Sequence, residues 1–217
     1  MIDRMGRPRA RGFTLVELML VVAVVGVLAA LAIYGVRNHL RTAKTAEALN
    51  AVGAISRGAV AAFQSGRIVA ETPVEGSAGT KSTFDLCRGI DGQPGDTVPD
   101  QMTKVRGKKY QPNTAQGADY ETGDGETGWR CLRYANSAPQ HYMVGYRAWP
   151  LRESGTSGKG PLGTLGISVP KGSFLAWAEG DLDGDGTYAD FARRGAINVA
   201  TSELKLATAV DSVMDLE

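Results

Sequence analysis

The chain has 217 residues, with 24 Lys and Arg against 23 Asp and Glu and a formal charge of +1. That balance excludes a protein that holds nucleic acid through overall charge. The two cysteines sit in no metal-ligand or redox spacing, and the two histidines, His39 and His141, belong to no zinc or nucleophile motif.

In chain order, Arg4, Arg7, Arg9 and Arg11 form a basic leader that closes on Gly12. Behind Phe13 and a solitary carboxylate, Glu17, runs an almost unbroken apolar stretch over residues 18–36. At about 1.5 Å per residue it crosses most of a hydrocarbon core near 30 Å thick. Arg37, Arg41 and Lys44 flank its far side about as richly as the leader flanks the near side, so basic residues do not set an orientation. An ordinary secretory signal, cut after Ala30-Leu31-Ala32 to leave Ile33 first, is the competing reading. Glu17 wedged before the apolar run, and the helical pattern that continues past it, speak against that alternative.

The stretch Gly12-Phe13-Thr14-Leu15-Val16-Glu17, with the apolar tract behind it, resembles the class III signal of type IV prepilins and pseudopilins. The resemblance implies cleavage between Gly12 and Phe13 by a prepilin peptidase, which also methylates the new Phe13 amine. It further implies storage in a bacterial inner membrane, an inner-membrane assembly platform, and polymerisation with copies of the same chain into an extracellular pilus or periplasmic pseudopilus. The Phe13 amine so created pairs with Glu17 of its own chain or of a neighbour, and the resemblance implies the pairing between subunits. The plainer role for Glu17 is complementing the positive end of a helix dipole. Losing residues 1–12 removes a charge of +3 and leaves side chains summing to −2.

Residues 37–64 read as an amphipathic helix, with Leu40, Leu49, Val52, Ile55, Val60 and Phe63 on an apolar stripe. Arg41, Lys44, Glu47, Asn50 and Arg57 fill its other faces. Joined to residues 13–36 it makes a rod of about 50 residues, roughly 75 Å long. Gly53 and Gly58 weaken it by about 1 kcal/mol each relative to Ala. Tyr34 stands where many type IV pilins carry a kinking proline, which leaves room for a minor pilin or pseudopilin.

Residues 65–217 are expected to form the head, with a loop-dominated connector at 65–128. Lys104, Arg106, Lys108 and Lys109 make its one basic cluster, either a nucleic-acid or anionic-surface contact or a solvated loop. Strand patterns occur at 130–134, 141–148, 173–179, 196–200 and 203–208, within a sheet region at 129–210. Tyr142, Val144, Tyr146 and Ala148 should share one strand face. Gly155, Gly158, Gly160 and Gly163 suggest a surface loop. The fold class is therefore α+β: a long N-terminal helix packed on a C-terminal antiparallel sheet, which also resembles the pilin head.

In the oxidising envelope that the resemblance implies, Cys87 and Cys131 are expected to pair, the alternative being two separately buried thiols. Such a bridge stabilises by about 3–4 kcal/mol in the chain-entropy model. Asp181, Asp183 and Asp185 alternate before Gly186 and Thr187 with calcium-loop spacing, and Asp190 or the Thr187 carbonyl would complete a cage. Ala192 occupies the twelfth position, where an EF-hand needs Glu, and an Asp-Gly turn between strands is the competing reading. No catalytic constellation is present in the sequence, so the expectation is a structural subunit of a type IV pilus-like filament and not an enzyme. A minor pilin or secretion pseudopilin is the alternative, and a membrane-tethered enzyme or binding domain stands behind both.

Overall fold

The computed structural model describes residues 12–68, 82–83, 85–89, 97–149 and 169–213. The leader arginines and the glycines of 155–163 lie outside the described residues. The chain divides into two compact units, one ending at Leu40 and one beginning at Arg41.

Helix α1 spans Leu15–Gln64. Its last part buries Thr45, Ala48, Val52, Ile55, Ala59 and Phe63, a three-to-four-residue spacing that holds one face inward. Val52, Ile55 and Phe63 of the expected stripe face inward, whereas Leu40 and Leu49 are 54% and 40% exposed and small residues such as Ala48 and Ala59 complete the inner face. The reason is distance. Small residues at Ser56, Gly58 and Ala59 let the helix backbone approach its neighbours, and at Gly58 a Cβ would lie 2.5 Å from the Leu132 carbonyl oxygen. The buried hydroxyl of Ser56 is satisfied by donating to the Val52 carbonyl at 2.7 Å.

Two short strands, β1 (Arg67–Ile68) and β2 (Ser82–Thr83), pair with each other. β3 (Thr97–Val98), β4 (Met143–Trp149), β5 (Ser173–Gly180), β6 (Ala189–Asn198) and β7 (Glu203–Leu206) follow one another across an antiparallel sheet. β8 (Asp211–Val213) also pairs with β6, at residues 190–192, whereas β7 takes residues 195–198. The fold is the α+β arrangement of a long N-terminal helix on a C-terminal antiparallel sheet.

One sheet face carries Val144, Tyr146, Ala148, Phe174, Ala176, Ala178, Ala189 and Phe191, which join the buried α1 residues in the main core. The opposite face holds a second cluster of Leu175, Trp177, Ala192 and Val169, with Trp149 packed against it. Gly145 is required there, because a Cβ would come within 2.1 Å of the Trp177 ring.

Two sequence expectations need correction. Residues 130–134 are not a strand: Gly128–Leu132 is a short helix, α2, opened by Gly128 at φ +65° and closed by Arg133 in the left-handed region. Five residues are too few for periodicity to separate helix from strand, and Trp129 anchors this turn against Tyr120 and Tyr134 at ring separations of 5.1 and 5.7 Å. The strand expected at 196–200 begins at Ala189, and residues 199–202 are the turn to β7. Within the connector, Leu86, Cys87, Val98 and Tyr120 belong to the main core.

Candidate functional site

The helix opening is built by its first residues. The Thr14 backbone N–H and hydroxyl both donate to Glu17 Oε2, at 3.0 and 2.9 Å, and the Glu17 N–H donates to Thr14 Oγ1 at 3.2 Å. This is a reciprocal capping box, which satisfies backbone donors that a helix start leaves open. Phe13 beside it is 80% exposed. The apolar residues that follow, from Leu15 through Val36, are exposed throughout. This is a helix long and apolar enough to cross a membrane, and none of its most apolar window is buried in the chain's own fold.

The second charged locus is the loop between β5 and β6. Asp181, fully buried, accepts from the N–H of Gly184 at 2.6 Å and of Gly186 at 3.0 Å. Arg106 Nε lies 3.1 Å from Asp181 Oδ2, and Arg41 Nη2 lies 3.1 Å from Asp183 Oδ2. Asp185 receives the Thr187 N–H at 2.6 Å, which holds its carboxyl below the usual range. The three aspartates offer oxygens within 4.8 Å of one another, so a divalent cation fits them by distance. Two of the three, however, already face a guanidinium. Asp190 lies instead on β6, fully buried and directly opposite Glu179 of β5. Burial, and then the Asp190 charge, push the Glu179 carboxyl up to about 7.

Cys87 and Cys131 form a disulfide with Cα atoms 5.9 Å apart, tying the connector to α2. The basic cluster is partly neutralised within the fold: Lys104 pairs with Asp100 at 2.6 Å, and Arg106 faces Asp181. Lys108 and Lys109 remain exposed.

Residues 7–33 match the family model of the prokaryotic N-terminal methylation motif. That match supports a type IV pilin- or pseudopilin-type prepilin. No curated protein and no solved structure shows a significant match to it. The matched motif spans Gly12, Phe13 and Glu17 and implies processing by a prepilin peptidase and assembly at a membrane. With the apolar start of α1, it fits anchoring of this prepilin in the inner membrane before assembly, and it points to a structural protein.

Two features of the prepilin escape the motif reading. Thr14 is the capping partner of Glu17, a role signalled by the Thr-x-x-Glu spacing at the mouth of an apolar run. Arg41 and Arg106 neutralise the acidic loop from 142 and 75 positions away, for which sequence carries no local signal.

Proposed function

We propose that this chain is a structural subunit of a type IV pilus-like filament, stored in the inner membrane and polymerised through α1 after cleavage between Gly12 and Phe13 and methylation of Phe13. The observation that carries this reading is the pairing of a methylation motif with an apolar helix start that finds no cover within its own fold. Either lipid or other copies must supply that cover. Among the described residues, Glu17 holds only Thr14, so its carboxylate can turn to a neighbour's amine once cleavage creates one.

Mass spectrometry of the mature N-terminus, combined with two variants, tests this. A methylated Phe13 is expected; an N-terminus at Ile33 refutes it. Glu17→Ala should be processed yet stay out of filaments, whereas Thr14→Ala, which breaks the capping box but keeps the acid, should assemble. Equal behaviour of the two variants would reduce Glu17 to a helix cap.

A minor pilin or pseudopilin is the second reading, favoured by the continuous helix through Tyr34. Low abundance with loss of piliation or secretion on deletion would select it. In either case Arg41 and Arg106 are read as balancing the acidic loop without a calcium ion.

A further inference from the structure

A groove of about 540 Å³ lies between the last turns of α1 and the short helix α2. Its lining includes three arginines, Arg57 from α1, Arg130 from the middle of α2 and Arg133 just past its end, and no acidic residue. All three are exposed, and none has an ion-pair or side-chain hydrogen-bond partner among the described residues. The acids that flank Gly125 of the lining in the chain are engaged elsewhere. Asp124 accepts from the N–H groups of Glu126 and Thr127, and Glu126 pairs with Arg88 at 2.9 Å.

The walls are fixed. Cys131 in the lining is bonded to Cys87, and Tyr134 stacks edge-on against Tyr120 at 5.3 Å. The rest of the lining includes small residues such as Gly58, Ala61 and Ala62. Three unpaired guanidinium forks on two rigid walls cost little to organise around a ligand, and their planar donors match carboxylate and phosphate alike.

We propose that this groove binds an acidic peptide segment, whose side-chain carboxylates engage Arg57, Arg130 and Arg133. Charge complementarity within the groove is the argument for such an occupant. The aromatic ring in the lining, Tyr134, is engaged by Tyr120 and Trp129 rather than presented for base stacking, which favours a peptide over single-stranded nucleic acid. The inference is independent of the filament reading, since it needs only the folded head.

Fluorescence anisotropy on the full chain in neutral detergent tests it, with labelled hexaglutamate and labelled hexathymidylate as probes. Hexaglutamate should bind saturably. Arg57→Gln, Arg130→Gln and Arg133→Gln should each weaken it by roughly threefold to tenfold. The triple variant should abolish binding, while Lys108→Gln leaves it unchanged. Thermal unfolding of each variant checks that the head remains folded. The proposal is overturned if hexaglutamate does not bind, if the folded triple variant binds it as well as the parent chain does, or if hexathymidylate binds more tightly.

Discussion

Glu179→Gln isolates the one carboxyl that the fold pushes furthest from its ordinary range among the acids with a resolved value. Glu179 and the fully buried Asp190 face each other across β5 and β6, and the Glu179 carboxyl rises from 4.5 to about 7. A carboxyl raised in the folded state binds its proton more tightly there than in the unfolded chain. Its contribution is therefore complete below about pH 4.5 and is lost as pH climbs through about 7. The full linkage is about 3 kcal/mol. Glu179 is only half-buried, and screening by solvent reduces this to about 1–2 kcal/mol. Gln keeps the shape and has no proton to lose. The variant and the parent chain should then melt together near pH 4.5, while at pH 8 the variant is more stable by that amount. For a head of this size the difference corresponds to about 3–6 °C in Tm. Melting followed by tryptophan fluorescence at half-unit pH steps, in one fixed detergent, measures it. Parallel curves for the two proteins from pH 4.5 to 8 would refute the assignment of this linkage to the Glu179–Asp190 pair.

Gly58→Ala should lower stability by about 1–2 kcal/mol, because the clash with the Leu132 carbonyl outweighs the gain in helix propensity. Gly53→Ala, whose Cβ would meet only Arg57 Nη1 at 3.4 Å, should be neutral or stabilising by up to about 1 kcal/mol; urea unfolding of both decides. Millimolar calcium should leave Tm unchanged in the parent chain and raise it in the Arg41→Gln, Arg106→Gln double variant, where the acidic loop loses both guanidinium groups. A calcium-dependent shift in the parent chain would show that a cation displaces them.

The N-terminal half of the molecule was legible because its physics is local. An apolar run beginning at Leu18 has few alternatives, and the residues from Gly12 to Glu17 make a dense motif that coincides with the matched segment. The strands at 143–149 and 173–180 were also visible, since aromatic and branched residues alternate there. What failed was contingent on distance. The inner face of α1 is chosen for closeness, so Ala48 and Ala59 are buried where Leu40 and Leu49 are not. β6 was truncated because Asp190, Arg193 and Arg194 interrupt its apolar pattern, although pairing with both β5 and the final strands holds the whole segment extended. α2 was misread because its short helix depends on backbone freedom at Gly128 and on contacts to Tyr120, neither of which a five-residue window displays.

The borders of the sheet carry one more consequence. On one side, β3 is two residues long and is followed by Pro99, which has no N–H to offer. On the other, the margin of β6 is divided between a four-residue and a three-residue strand. Among the described residues the outermost strands β3, β7 and β8 are each four residues or fewer, and short edge strands are one way native sheets discourage an incoming chain from zipping on. Short outer strands therefore limit the template that one head offers another.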